Sequence, residues 1–475
     1  MGVWGLETFI RNEVPNGVDY VNILEEIHNK KSEFPDRPVV LVFQLIDVLY
    51  NIMQHLSTVE TICGPAFKQI HEIFVDRFEA LKKSGAELHF FSIGPSYNND
   101  LETWTQRQSE KYLTNIKIID KIDANVPLEE IKDLLSSEGA SPAEDLRAVC
   151  QMFGTLHVSL GPKYIVDVVD YANKNNALAI LGNDSHFLIF SGEWRYWSCR
   201  DINLVKGEWT TIEFNKFALR EYIGLTPQQM PMLATIAGNG FVQFDKVRLF
   251  HKRIEGEISD YRKYHYLKLA EYVQNIPNPL TDDGKRKFLK DLFGSKLSNE
   301  LHYFETVRDS LCFYKLKMRV TQPVGGMDTL LKLSASISAT YYNSLTGGTI
   351  RMKSPTFFDM RRTDFLPFTA IVLPVLKRQI GFIRHHMNDT NYIQLVHLKP
   401  SHSAPFRTIK VVPEYPKINP PDLLSILNKE KKSLNRLRFK ILKWMIFGSY
   451  FHRQFSIEDI PKGSMVTVLA VMYLC

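Results

Sequence analysis

Short apolar runs alternate with helical patterns through the first part of this 475-residue chain. Residues 39–43 (VVLVF) form a β-branched run of the kind that is buried in a parallel sheet. Apolar residues then recur at helical spacing over 66–83, and a second strand pattern follows at 87–93. A further helix is predicted near 163–174 and a third strand at 177–181. This alternation predicts an α/β fold in which a parallel sheet is flanked by helices.

The second half of the chain has mainly helical patterns. Thr226 and the proline that follows it predict a helix start. Six prolines between 400 and 421 exclude a regular helix, so this segment is expected to run extended over the surface. A basic helix is predicted at about 423–450. We therefore predict two domains: 1–245 has the α/β fold, and 246–475 is mainly helical and contains the proline-rich segment 400–421.

Charge divides the chain at about residue 250. Residues 1–250 contain 23 Lys and Arg against 33 Asp and Glu, a balance of −10, and residues 251–475 contain 35 against 19, a balance of +16. The two balances add up to the net charge of +6. An acidic surface repels a phosphate backbone and a basic surface attracts it. Contact with nucleic acid is therefore expected after residue 250.

Composition excludes several classes of protein. Hydrophobic residues make up 44% and charged residues 23% of the chain, which excludes a mostly disordered protein. The five cysteines are scattered and never spaced as C-x-x-C, so neither a disulfide framework nor a structural zinc site is expected. The apolar runs are too short to span a bilayer, and the N-terminus lacks a signal-peptide pattern. We expect an intracellular protein of the cytoplasm, the nucleus or both, without a membrane partner.

Three motifs occur in a fixed order: MGVWGLETFI at 1–10, LGNDSHFLIF at 181–190 and LATIAGNGF at 233–241. They resemble the N-terminus, the acid-bearing strand-loop and the later helix start of the structure-specific 5′ nucleases, the PIN-like superfamily of flap endonucleases and xeroderma-G proteins. Residues 101–113 and 457–474 are similar to stretches of one branch, asteroid and the constitutive-coactivator-of-PPAR-gamma-like proteins. The resemblance implies a PIN-like parallel sheet over the first half of the chain.

The resemblance also implies a metal site. In this superfamily two divalent ions flank the scissile phosphate, and Asp and Glu hold them because magnesium prefers hard oxygen ligands. The superfamily's seven acidic positions fall here on Gln44, Ser92, Lys163, Ile165, Asp184, His186 and Gly240. Only Asp184 keeps a carboxylate, and the charge of Lys163 opposes metal binding. A shift of the alignment by one or two residues near Lys163 would offer Asp167 or Asp170 instead.

The acids and the histidine near these positions have structural interpretations. Asp184 follows Gly-Asn and is typical of a capping or turn residue, with a single-metal role as the alternative. His186 is interpreted as a packed or hydrogen-bonded histidine, and Asp47, three residues after Gln44, as a structural or solvent-facing acid. After Gly240 the sequence FVQFDKVRLFHKRI contains no glycine, so the phosphate-gripping helix-turn-helix of active relatives is not expected.

A basic stripe lies near the end of the chain. Apolar residues at helical spacing within 429–450 predict one buried face. Lys432, Arg436, Lys440 and Lys443 form a separate stripe. This stripe is the solvated face of a packed helix, a contact for RNA or an acidic protein segment, or a membrane-surface helix. The nearby residues that would enlarge it for a single strand are Lys399, Arg407, Lys410, Lys417, His402, Phe406 and Tyr415.

We therefore predict a catalytically inactive 5′ nuclease-like protein that acts as an RNA-associated or protein-scaffolding module. No catalytic residue, metal or cofactor is expected, and the expected partners are single-stranded RNA and proteins. Two alternatives stay open. One is an active or weakly active metal-dependent flap-type nuclease, which would need Mg²⁺ and acids at other positions. The other is a pseudo-nuclease scaffold that binds protein alone.

Overall fold

A mixed sheet forms the centre of the first half of the molecule. The computed structural model describes residues 2–53, 67–94, 101–131, 134, 143–159, 164–205, 208–255, 261–276, 282–294, 301–315, 330–331, 334, 338–352, 361, 364, 366–387, 392–400, 404–427 and 431–448. The strands of this sheet are β1 (Val18–Asn22), β2 (Val39–Gln44), β3 (Ala86–Ile93), β4 (Thr155–Ser159), β5 (Ala179–Gly182), β6 (Arg195–Ser198), β7 (Asn203–Val205) and β8 (Glu208–Phe214). Their spatial order is β1-β8-β6-β5-β2-β3-β4, and β7 pairs with β8. Strands β6, β5, β2, β3 and β4 run parallel, which confirms the predicted α/β fold, while β8 pairs antiparallel with β1, β6 and β7.

Helices cover both faces of this sheet and continue through the second half. They are α1 (Leu6–Glu13), α2 (Ile23–Glu33), α3 (Leu45–Met53), α4 (Phe67–Lys83), α5 (Leu101–Asp123), α6 (Ala143–Phe153), α7 (Tyr164–Lys174), α8 (Lys216–Ile223), α9 (Met230–Ala237), α10 (Phe244–Glu255), α11 (Tyr261–Gln274), α12 (Asp282–Phe293), α13 (Leu301–Phe313), α14 (Ala339–Thr346), α15 (Phe368–Ile383), α16 (Leu423–Leu427) and α17 (Asn435–Phe447). Short 3₁₀ turns lie at Leu128–Ile131, Ser185–Leu188, His385–Met387 and Lys432–Leu434.

One face of the sheet is covered by α2, α3, α4 and α6. The apolar stripe predicted on α4 is buried, since Ile70, Phe74, Phe78 and Leu81 are each exposed by 1% or less. The ring of Phe78 meets that of Phe90 on β3 edge-on, with the centroids 4.8 Å apart. Each such side chain contributes about 1.5–3 kcal/mol when it leaves water. This core explains why α4 forms where the sequence pattern places it.

The other face is covered by α1, α7 and the helices from α8 to α13. Leu6 and Ile10 of α1 are fully buried, and the ring of Phe9 lies 4.8 Å from that of Tyr266 on α11. The same core continues to Tyr314, just after α13. The apolar core is therefore continuous across the predicted boundary at residue 245, and the independence of the two domains stays a prediction.

A second, smaller sheet lies in the last part of the described chain. It consists of β9 (Ile350–Arg351), β10 (Gln394–Leu398) and β11 (Arg407–Val411), where β10 runs parallel to β9 and antiparallel to β11. The prediction of a mainly helical second half missed this sheet because its strands have two to five residues. In the described part of the proline-rich segment 400–421, residues 407–411 form the extended strand β11. It is not only a surface segment, since Val411 is 1% exposed.

Two contacts join this last part to the long helix α5. The hydroxyl of Thr105 lies 2.9 Å from Nε2 of His397 on β10. The guanidinium of Arg361 bridges Asp120 at 2.5 Å and Asp123 at 2.6 Å. The polar helix α5 therefore connects the two halves of the molecule through the half-buried Thr105 and the exposed Asp120 and Asp123.

Two predicted helix boundaries are corrected by the structure. The Thr226 amide and hydroxyl both donate to Gln229 Oε1 at 3.0 Å, which forms a turn, and α9 begins only at Met230. The helix predicted at about 423–450 is divided into α16, the 3₁₀ turn Lys432–Leu434 and α17. Lys432 consequently lies on the turn and not on the helix.

Candidate functional site

The carboxyl ends of β5, β2 and β3 lie side by side in the sheet. Gln44 ends β2 and Ser92 is the penultimate residue of β3. Asp184 comes two residues after the end of β5. These three positions therefore lie at neighbouring strand ends on one edge of the sheet. Asp47, in the first turn of α3, joins them, and we call Gln44, Asp47, Ser92 and Asp184 the strand-end site.

Gln44 fills the end of β2 with a neutral amide. Its side chain is 3% exposed. A Cβ atom at position 182 would collide with Gln44 Oε1, so glycine at this position of β5 makes room for the longer glutamine. A neutral amide has far less attraction for a divalent cation than a carboxylate has. Position 44 therefore contributes packing and not negative charge.

Ser92 holds a positive group at the end of β3. Its hydroxyl accepts a hydrogen bond of 2.9 Å from Nη2 of Arg147 on α6. The guanidinium is thus bound where the superfamily places an acid. Sequence reasoning missed Arg147, since 55 residues separate it from Ser92 and no local pattern links them.

Asp184 and His186 are both used in local structure. The Asp184 carboxylate accepts a 3.0 Å hydrogen bond from the His186 amide and caps the 3₁₀ turn Ser185–Leu188. The imidazole of His186 is 4% exposed, and its Nδ1 lies 2.7 Å from the hydroxyl of Tyr314. These contacts are those of a capping aspartate and of a packed, hydrogen-bonded histidine.

Asp47 has the most perturbed carboxyl of the strand-end site. Its Oδ2 accepts a 2.8 Å hydrogen bond from the amide of Asn183. Burial raises the pKa of Asp47 to about 6, and the nearby charge of Asp184 adds to this shift. Near pH 6 the Asp47 carboxyl is therefore protonated about half of the time. The sequence pattern predicts a structural or solvent role for Asp47, but it does not predict the hydrogen bond to the loop after β5.

Three further positions at which the superfamily has acids add no carboxylate to the strand-end site. Ile165 of α7 is 9% exposed and belongs to the apolar core. Gly240 is exposed, and nothing lies within 4 Å of where its Cβ atom would be. Lys163 lies outside the described residues.

The acids that a shifted alignment would offer already have partners. Asp167 accepts a hydrogen bond from the hydroxyl of Ser159 at the end of β4. Asp170 pairs with Lys174 along α7 at 2.7 Å. The first carboxylate stabilises a strand end and the second a helix surface.

The described residues do not fit a two-metal site. In the described ranges no group of three or more His, Cys, Asp or Glu residues could hold a metal ion. The strand-end site supplies two carboxylates, Asp47 and Asp184, and each already accepts a backbone N–H. Two magnesium ions demand a larger set of oxygen ligands. We assign no step to a metal.

The predicted basic stripe is mostly exposed. Lys432 on its turn and Arg436 and Lys440 on α17 are exposed. Lys443 is half-buried, and burial lowers its pKa. Ile441 and Met445 pack inward, as the helical spacing predicted. Three of the four predicted cations therefore face solvent together, while the fourth lies at the edge of the core.

The residues expected to enlarge this stripe are divided. Arg407, Lys410 and Lys417 are exposed. The ring of Phe406 stacks on His397, with the centroids 5.8 Å apart, and meets Trp104 of α5 edge-on. Lys399 lies over the ring of Tyr112, 4.6 Å from its centroid, and Tyr415 is half-buried. His402 is outside the described residues. Phe406 is therefore a packing residue, and the prediction of a free stacking ring there is wrong.

About half of the chain is similar to curated proteins named constitutive coactivator of peroxisome proliferator-activated receptor gamma. The human protein is 21% identical over 253 residues, which is 51% of this chain and 26% of that protein. The mouse protein is 24% identical over 250 residues (50% and 29%), and the bovine protein 23% over 244 residues (51% and 33%). The chain thus spans a quarter to a third of these relatives. They confirm the coactivator-like branch that the motifs indicated, while no family model matches the chain.

Among solved structures, the chain is similar to human GEN1 in complex with Holliday junction DNA. The identity is 12%, the match covers 89% of this chain and 90% of that chain, and the TM-score is 0.37. The catalytic core of Rad2 in complex with DNA substrate is 13% identical, covers 71% and 88%, and has a TM-score of 0.34. Within the described residues, no helix is long and apolar enough to cross a membrane.

Proposed function

We propose that this chain is a nuclease-fold protein that acts by binding and not by cleavage, as an RNA-associated or protein-scaffolding module. The observation that carries the proposal is the strand-end site. Gln44 is a buried amide and Ser92 holds the guanidinium of Arg147. Asp184 caps a turn. Groups that would bind metals in an active relative instead bind other parts of the same protein.

The distribution of charge supports association with RNA. The balance of +16 lies after residue 250, whereas the half that contains the strand-end site has a balance of −10. Lys432, Arg436 and Lys440 are exposed together. A positive field away from the former catalytic pocket suits binding of a phosphate backbone without cleavage.

The relatives favour the scaffolding part of the proposal. Their name, constitutive coactivator of peroxisome proliferator-activated receptor gamma, describes proteins that act through a receptor protein. The match covers 26–33% of their length, so the name supports protein binding in general and not this receptor in particular. An RNA-associated scaffold would unite both features.

Two assays on the full chain test this proposal. The first offers a 5′-flapped duplex with Mg²⁺ or Mn²⁺, beside an active flap endonuclease as the positive control. We expect no cleavage, and metal-dependent cleavage would replace the proposal with the active-nuclease alternative. The second measures single-stranded RNA binding by fluorescence anisotropy against salt, where the slope for a single strand is about −0.7 per neutralised phosphate.

Matched charge reversals complete the binding assay. Changing Lys432, Arg436 and Lys440 to Glu is expected to remove most RNA binding. The control reverses Lys68, Lys82 and Lys83, which are equally exposed on α4, and should change it little. Asp184→Ala should also leave RNA binding intact. If no RNA binds to the unaltered chain, the RNA association is contradicted and a scaffold that binds protein alone remains.

A further inference from the structure

Trp4 is held rigidly although it is 40% exposed. Its amide donates a 2.9 Å hydrogen bond to the carbonyl of Gly238, and the hydroxyl of Tyr266 donates to the carbonyl of Trp4. The backbone at this position is therefore fixed from two sides by α9 and α11. The exposed part of the indole ring gains no hydrophobic free energy, so burial does not explain why this part is fixed.

The indole ring is fixed as well. Phe244 of α10 stacks on one face, with the centroids 3.8 Å apart and the planes 11° from parallel. His265 and His251 meet the ring edge-on at 5.6 Å and 6.4 Å. Beyond these three ring contacts, 40% of Trp4 remains exposed. A ligand that stacks there loses little additional side-chain entropy, because the rotamer is already set.

Cations continue along the helix from this ring. Phe244, Arg248 and Lys252 are spaced by four residues and lie on one flank of α10. Arg248 and Lys252 are exposed, and neither forms an ion pair with any residue that the structure describes. Among the side chains of α10 that the structure describes, the exposed acid is Asp245. The flank therefore offers an aromatic plane followed by positive charge.

The neighbouring helix adds charge of the same sign. The guanidinium of Arg253 on α10 donates to the carbonyl of Asp291 on α12, which ties the two helices together. Arg286, Lys287 and Lys290 of α12 are exposed. These side chains add positive charge beside α10, although the first 250 residues are acidic as a whole.

We propose that Trp4, Phe244, Arg248 and Lys252, which we name the Trp4 platform, bind single-stranded nucleic acid. A nucleobase stacks on Trp4, and Arg248 and Lys252 contact the phosphates that follow it. This rests on the proposed RNA association and places a base contact far along the chain from the stripe of Lys432, Arg436 and Lys440. Cations follow the ring at helical spacing on this flank, which favours a phosphate backbone over an apolar protein pocket.

Fluorescence and affinity of the full chain with a uridine oligonucleotide test the platform. Stacking should quench tryptophan emission in the unaltered chain, and Trp4→Phe should remove that quenching while keeping part of the affinity. Trp4→Leu should weaken binding by roughly 5- to 150-fold, the range for one stacked base. An abasic ribose-phosphate strand should bind Trp4→Leu and the unaltered chain equally, because it offers no base.

If Trp4→Leu fails to fold, a second set of variants tests whether the Trp4 platform binds single-stranded nucleic acid. Arg248→Glu and Lys252→Glu change exposed side chains, and they should weaken binding and reduce the salt slope by about 0.7 for each lost phosphate contact. Phe217 on α8 gives a matched control, since it is 61% exposed with Arg220 4.6 Å above its ring. Phe217→Leu should bind like the unaltered chain.

The outcomes separate this inference from the proposed function. If the reversal of Lys432, Arg436 and Lys440 abolishes RNA binding while all platform variants bind normally, the platform is contradicted and the RNA association stands. If the unaltered chain binds no RNA, both fail together. Normal affinity of a folded Trp4→Leu, with no quenching in the unaltered chain, would leave Trp4 as a protein contact and overturn the platform.

Discussion

The strand-end site and the Trp4 platform differ in where their polar and aromatic groups point. At the strand-end site, Ser92 binds Arg147 and Asp184 binds the backbone of its own turn, so both are used within the fold. Gln44 Oε1 is buried there with no hydrogen-bond partner among the described residues. At the platform, Trp4 is fixed and still exposed, and the cations beside it have no described ion-pair partner. A site whose groups are used internally stabilises a fold, whereas a rigid site with unused groups is prepared for a ligand. Four predictions test this contrast, beginning with the largest expected effect.

The largest effect is expected from acid, which should lower the free energy of unfolding through His251 and His265, the two histidines that contact the ring of Trp4. His251 and His265 are 1% and 3% exposed, and burial lowers the pKa of each from 6.5 to about 4. The unfolded chain therefore binds protons more readily, so the stability that these groups contribute is complete above pH 6.5 and is lost as the pH falls toward 4. The expected loss is about 4 kcal/mol at pH 5, measured by urea unfolding.

A comparison of variants assigns that loss to the pair. The free energy of unfolding is expected to differ between pH 7.5 and pH 5, and His265→Phe should reduce that difference by about 2 kcal/mol. The exposed His28 provides the control, because His28→Asn should leave the difference unchanged. Equal acid sensitivity in all three proteins would show that the platform does not depend on neutral histidines.

Restoring an acid should damage the strand-end site. Gln44→Asp buries a carboxylate three residues before Asp47, whose own pKa is already raised by burial. We therefore expect the free energy of unfolding to fall by about 3 kcal/mol at pH 8. The control is Gln44→Asn, which has the shape of the Asp variant but no charge. It should reduce the free energy of unfolding by less than Gln44→Asp does at every pH above 6. Millimolar Mg²⁺ should not recover the difference. Recovery by Mg²⁺ would contradict the conclusion that the described residues do not fit metals.

Removing the charge of Asp47 should have a smaller and opposite effect. The pKa of this carboxyl is raised from 3.8 to about 6, so ionised Asp47 costs stability as the pH rises through that window. Asn keeps an acceptor for the Asn183 amide. Asp47→Asn should therefore be about 1–2 kcal/mol more stable at pH 8 and should lose this advantage below pH 4. Thermal melts at both pH values measure it, and a variant that is less stable at pH 8 would refute the burial argument.

The exposed basic stripe should contribute least to stability. Lys432→Ala, Arg436→Ala and Lys440→Ala are each expected to change the free energy of unfolding by less than about 0.5 kcal/mol. Ile441→Ala on the same helix should cost about 2–5 kcal/mol, since Ile441 is 2% exposed. A large loss from any of the three cations would mean that it packs or pairs and is not available to a ligand.

The parts of the fold that the sequence predicted are those with continuous apolar patterns. Strands β2 and β3 and helices α4 and α7 form near the predicted limits because each buries an unbroken stripe or run. Strands β1 and β8 were missed, since in VDYVN and EWTTIEF polar residues interrupt the apolar ones. Their pairing joins Val18 to Phe214, and no local pattern contains that information.

At the strand-end site, too, the sequence predicted local features and not long-range contacts. The sequence predicted that positions 44, 92 and 240 lack acids, because identity at a position is local information. It did not predict what replaces the acids: Arg147 comes from another helix, and the hydroxyl that meets His186 belongs to Tyr314. The Trp4 platform was missed for the same reason, because Trp4 and Phe244 are brought together only by the fold.

The continuous core across residue 245 has a consequence for synthesis on the ribosome. Leu6, Phe9 and Ile10 of α1 share their core with side chains as late as Phe313 and Tyr314. At about 5–20 residues per second, roughly 15–60 s pass between translation of the first group and of the last. During that interval the nascent chain exposes an amphipathic helix with an unpaired apolar face. We therefore expect the growing polypeptide to bind holdase chaperones until α13 has left the exit tunnel, and a translation pause beyond that point to favour native docking over aggregation.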